Sequence, residues 1–89
     1  MATLFVRHSV SDYKTWRKTY DDFQDTQEVN NVTAQAVYQA ADDPNDVTVT
    51  HEFPNVEAAR AFIQLEELKN AMRSAGVVGA PTVWITNRV

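Results

Sequence analysis

The sequence predicts an α+β fold of the ferredoxin-like type, in which a four-stranded antiparallel sheet carries two helices on one face. Three observations predict it. The patterns run strand, helix, strand, strand, helix, strand within 89 residues. Residues 2–10 and 47–53 alternate apolar and polar side chains, the two-residue period of half-buried strands. The run Asp42-Asp43-Pro44-Asn45-Asp46 is dense in turn-forming side chains, so the second and third strands join as a hairpin.

In the first strand Leu4, Val6, His8 and Val10 point one way, and Thr3, Phe5, Arg7 and Ser9 the other. Ser9 or Ser11 is placed to cap the first helix, with Asp12 in its first turn. Tyr13, Trp16, Tyr20 and Phe23 recur at spacings of three and four, making an aromatic stripe on a helix expected to reach about Gln27. Polar Glu28, Asn30 and Asn31 end it. Val32 to Ala40 is the second strand, with Val32, Ala34, Ala36 and Tyr38 on its more apolar side. Val47 to Phe53 is the third, with Val47, Val49, His51 and Phe53 set against Thr48, Thr50 and Glu52. Pro54 and Asn55 start the next helix, whose single stripe is Ala58, Ala61, Phe62, Leu65, Leu68, Met72 and Ala75. Gly76 and Gly79 stop it and Pro81 forbids its continuation. Thr82 to Arg88 is the fourth strand, with Trp84 opposite in sense to Val83 and Ile85.

Right-handed crossovers place both helices over one sheet face. That face collects Leu4, Val6, Val47, Val49, Phe53, Val83 and Ile85, together with both histidines, His8 and His51. The open face is expected to carry Phe5, Val37 and Trp84 among Arg7, Gln35, Gln39, Thr48, Thr50 and Glu52. Aromatic side chains on an uncovered sheet call for a partner, and two such faces meeting in a homodimer would cover them.

The totals agree with a single domain over residues 1–89. A chain of this size buries only ~60–65% of its unfolded surface, so it gains from self-association. No cysteine is present, which removes disulfides, thiolate metal ligands and a cysteine nucleophile, and fits a reducing compartment. With 8 basic and 12 acidic residues the net charge is −4, which disfavours nucleic acid. Lys14, Arg17 and Lys18 read as a solvated helix face. Arg7 and His8 interrupt the region where a signal peptide needs its apolar stretch, and no run approaches the ~18 apolar residues of a membrane span. Cytoplasmic location, with neither membrane nor nucleic-acid partner, is the expectation.

The run Val6-Arg7-His8-Ser9-Val10-Ser11-Asp12-Tyr13, followed by Trp16, resembles the opening of small proteins in the dimeric α+β barrel superfamily, relatives of the antibiotic biosynthesis monooxygenases. Asp42 to Val47, Ala59-Arg60-Ala61-Phe62 and Ala75-Gly76-Val77-Val78-Gly79-Ala80-Pro81 agree with it. The resemblance implies a homodimer closed through the open sheet faces, and small pockets between sheet and helices. It also implies a range of activities that includes cofactor-free oxygenation of phenolic compounds, haem degradation, isomerisation and cyclisation. Haem degradation fits least, since it uses a histidine on the second helix and none follows His51. Relatives often break that helix with a Ser-Pro pair; here Leu65 and Glu66 stand in its place, so an uninterrupted helix is expected.

For chemistry, His8 and His51 are the candidate catalytic residues. An imidazole inside an apolar sandwich is neutral and can serve as base, hydrogen-bond donor or ligand anchor; otherwise each is a core histidine satisfied by a carbonyl or water. Two imidazoles on different strands are too few for a metal. Trp16, Tyr20, Phe53, Phe62 and Met72 are ordinary core by their spacing, and equally the walls of a cavity for a flat aromatic ligand. Arg7 and Glu52 share the open face, as an ion pair within a dimer or as solvated charges. Asp42 to Asp46 lacks the alternation, glycine and final glutamate of a calcium loop and reads as a plain turn. Two functions follow: a cofactor-free oxygenase or isomerase of a small aromatic compound, or a non-catalytic binding or dimerisation module.

Overall fold

In the computed structural model, which describes residues 1–89, every sequence element has its counterpart, but each predicted helix is divided in two. The order is β1 (Ala2–Val10), α1 (Tyr13–Asp22), α2 (Gln24–Val29), β2 (Ala34–Ala40), β3 (Asp43–Phe53), α3 (Val56–Ile63), α4 (Glu66–Ser74) and β4 (Val77–Asn87). The strands form one antiparallel sheet in the order β2-β3-β1-β4. This is the ferredoxin-like βαββαβ arrangement, with β1 and β3 central.

β1 and β3 pair from Ala2 opposite Phe53 to Ser9 opposite Asp46. Leu4, Val6, Val47, Val49 and Phe53 are buried on the helix side of this pair and pack with Trp16, Tyr20, Ala59 and Phe62 as the core. Asp12, not a serine, caps α1: its carboxylate accepts from the Thr15 N–H (3.0 Å) and hydroxyl (2.8 Å), which holds its own pKa below the usual carboxylate range. Asn55 caps α3 by accepting from the Ala58 N–H at 2.9 Å.

Phe23, with φ −88° and ψ 0°, divides α1 from α2. Leu65, extended at φ −64° and ψ 133°, divides α3 from α4 and overturns the expectation of a continuous helix. The two glutamates that follow it, Glu66 and Glu67, sit in the first turn of α4, where the helix dipole favours negative charge. α4 ends at Gly76, whose φ of +83° only glycine adopts at no cost.

The open face differs from expectation in β2. Val37 pairs with Val49, Gln35 with His51 and Gln39 with Val47, so all three lie on the helix side, and Val37 packs against the core. Ala34, Ala36 and Tyr38 face outward instead. The pairing register with β3 decides the face, and on an edge strand the apolar count is too even to do so. Within the chain, the partner of Arg7 is Asp46. The two form a bidentate pair at 3.0 and 2.6 Å, which raises the guanidinium pKa and lowers that of the carboxyl. The hairpin turn is confined to Ala41 and Asp42, and Pro44 to Asp46 form an irregular start of β3.

β4 starts earlier than expected and bulges. Arg7 pairs with Thr82 and Ser9 with Val78, so Gly79, Ala80 and Pro81 stand opposite His8 alone. No helix is long and apolar enough to cross a membrane.

Candidate functional site

Strand alternation turns both imidazoles toward the helices, where His8 is 5% and His51 4% exposed. His8 lies opposite Val47 and His51 opposite Leu4. Four strand positions, roughly 13 Å at ~3.3 Å per residue, separate them along the sheet. They cannot share one metal ion, whose bonds to nitrogen are about 2 Å long.

The α1 stripe lies over both. Trp16 stacks on Tyr20 with ring centres 5.0 Å apart and meets His8 at 5.6 Å; Tyr20 meets His51 at 6.2 Å. From α3, Phe62 approaches His51 at 5.2 Å and Phe53 at 5.4 Å. Between these layers is a pocket whose enclosed part is about 50 Å³, less than a benzene ring needs, and which opens to solvent past its rim. Val6, His8, Val49 and His51 form its floor; Trp16, Tyr20, Gln27 and Phe62 form buried walls; half-buried Thr19, Phe23, Leu68, Ala71 and Met72 form its rim. The segments that follow Phe23 and Leu65, α2 and α4, supply Gln27 and Leu68, Ala71 and Met72 to this space. Of the residues singled out from sequence, His8, His51, Trp16, Tyr20, Phe62 and Met72 converge on the cavity. Phe53 does not: it is fully buried behind Phe62 and touches no open space.

Polar groups in this apolar setting are few and unpaired. Both nitrogens of His8, both of His51 and Oε1 of Gln27 are buried with no hydrogen-bond partner in the protein. Burial lowers the His51 pKa to about 4. It also lowers His8, against the charge of Asp46. Both imidazoles are therefore neutral at pH 7. The Tyr20 hydroxyl donates to Gln35 Oε1, and Gln35 Nε2 donates to Gln24 Oε1 at 2.9 Å. Burial raises the Tyr20 pKa, with Gln27 beside it pulling the other way.

Gln27 escaped the sequence reading, as did Thr19. The signal for Gln27 was present: it follows Phe23 by four and Tyr20 by seven, in phase with the aromatic stripe. A polar side chain in an apolar phase is informative because, once buried, it must find a partner.

No family model and no curated protein matches this sequence. The fold has clear structural neighbours. A Nitrosomonas europaea protein assigned to the antibiotic biosynthesis monooxygenases is 15% identical, with a TM-score of 0.77, covering 100% of this chain and 99% of that one. A Bordetella bronchiseptica protein of the same assignment reaches 0.84 at 11% identity, covering 99% and 96%. SnoaB from Streptomyces nogalater, a cofactor-independent oxygenase, reaches 0.80 at 9% identity, covering 99% and 92%. At these identities the likeness is one of fold, and it extends over the whole chain. By its architecture, this chain has the ferredoxin-like α+β fold of the antibiotic biosynthesis monooxygenase structures.

Proposed function

We propose that this protein binds a small, flat, largely apolar molecule between its sheet and helices and oxidises it with dioxygen, without a cofactor, as a cytoplasmic homodimer. One observation carries the reading: five buried, unpaired polar atoms belong to three residues, His8, Gln27 and His51, that line one apolar cavity. Each such atom costs about 1–3 kcal/mol unless something pairs with it, so the arrangement suits a ligand with matching polar groups. The likeness in fold to a cofactor-independent oxygenase supports the chemistry. A base removes a proton from an activated CH₂ of an electron-rich aromatic. The carbanion then gives its electrons to dioxygen, and the hydroperoxide loses water to leave a carbonyl. His8 is the better base, because the Asp46 charge offsets part of its burial. His51, held near 4, orients the substrate as a neutral hydrogen-bonding group.

That same low value favours a second reading, a binding module without turnover, in which both imidazoles only anchor the ligand. Oxygen uptake with a panel of hydroxylated naphthalenes and anthracenes whose keto tautomers carry such a CH₂, in the presence of a metal chelator, separates the two. Turnover that falls ~100-fold in His8→Gln, with His51→Gln acting mainly on KM, is the expected result. Uptake unchanged in both variants removes the histidines from the chemistry. Binding without uptake leaves the module.

A further inference from the structure

Gln27 is the only residue that lines both the apolar cavity and a second, polar cavity of about 140 Å³ formed by Gln24, Gln27, Glu28, Val32, Thr33, Ala34 and Gln35. It is 2% exposed, and its Oε1 has no partner in the protein. The hydroxyl hydrogen of Tyr20, which lines the same cavity, is already given to Gln35 Oε1. The Gln27 carbonyl is an acceptor without a donor.

We propose that Gln27 is the specificity-determining residue of the cavity, selecting ligands that present an O–H or N–H donor and rejecting ethers and quinones of the same shape. This rests on the cavity being the ligand site. The histidines cannot make this distinction, since a neutral imidazole offers one donor and one acceptor and exchanges them by tautomerism. A glutamine carbonyl only accepts. A site built to pair with a donor rejects the analogue that lacks one far more strongly than an apolar wall separates two shapes, because the carbonyl is then left dry and unpaired.

Phenol and anisole, which differ by a methyl group on the oxygen, are the probes, and calorimetry or ligand-observed NMR measures their binding to the whole chain. The wild type is expected to prefer phenol at least tenfold. Gln27→Met keeps the length of the side chain and removes the acceptor; phenol should weaken about tenfold and anisole hold or tighten, abolishing the preference. A melting temperature equal to or above that of wild type shows that the variant is folded, and Gln27→Leu serves as a second variant should the thioether crowd the wall. Equal binding of both probes by the wild type, or a preference that survives in Gln27→Met and Gln27→Leu, overturns the assignment of Gln27 and leaves the cavity reading standing. Failure of the wild type to bind either probe overturns both.

Discussion

Burial keeps the His51 imidazole neutral in the folded protein down to about pH 4, whereas the unfolded chain takes up that proton near pH 6.5. Over this interval the unfolded state binds more protons, so stability falls as the pH drops from about 6.5 to about 4, and His51 adds no further loss below that. The loss from His51 alone is on the order of 3 kcal/mol, and His8 adds to it in the same direction. Asp12 and Asp46 have lowered carboxyl pKa values, so their contributions are lost mainly below that window. Urea midpoints at pH 7 and pH 4.5 measure the effect, and His51→Phe should remove most of the difference. A midpoint insensitive to pH across that range would mean that the imidazole is solvated. At this scale the sequence was most readable in β1 and β3, where alternation alone put both histidines under the helices. It was least readable for the Arg7 partner: Asp46 reaches it only because β3 extends past Val47, and nothing in the local pattern announces that.

Neither helix break carries a proline or glycine, and for that reason neither was foreseen. Phe23 and Leu65 are ordinary helix residues whose conformation is set by what the following segments pack against, the tertiary override of weak local preference. Both segments keep their stripe residues on the inner side across the breaks, Gln27 on α2 and Met72 on α4. The end of α4 was readable from sequence, and its glycine can be tested. A Cβ on Gly76 would lie 2.6 Å from the Ser11 Oγ, in a backbone conformation that side chains avoid. The same glycine carbonyl accepts the Ser11 N–H at 3.0 Å, tying the end of α4 to the start of α1. Gly76→Ala should therefore cost about 1–2 kcal/mol from the left-handed backbone alone, lowering the melting temperature by roughly 5–15 °C in a domain of this size. Gly79→Ala, at φ +75° but with no atom within 4 Å, carries the same backbone cost without the Ser11 clash, so Gly76→Ala should lose more. Thermal melts of the two variants side by side give the comparison; equal losses would mean that the Ser11 contact relaxes freely.

For the whole molecule, the face turned away from the helices is where the proposed homodimer would close. Phe5 and Trp84 stack there with centres 5.1 Å apart and rings parallel, and Tyr38 and Val78, each 58% exposed, extend the apolar surface. Trp84→Glu places a charge at its centre. Light scattering at micromolar concentration should give a dimer for the wild type and a monomer for the variant, with the fold retained; a monomeric wild type would rule out assembly through this face. The fold class was legible because hairpin, alternation and helical stripes each point to it independently. The composition of the open face was only half legible. Phe5 and Trp84 follow from the central pairing, but Val37 sits on an edge strand whose two sides are similarly apolar, and only its register against β3 assigns it. β4 is the other edge, and its irregular middle bears on a different hazard. A long, regular outer strand carrying tryptophan and valine would be a template on which further chains add, one after another, into fibrils. Gly79, Ala80 and Pro81 break the ladder opposite His8, and Pro81 has no N–H to offer an incoming strand. The bulge that shapes the sheet beside His8 therefore also caps its growth, and straightening it, by replacing Pro81 and deleting two of the three residues, would trade a discrete protein for one prone to polymerise.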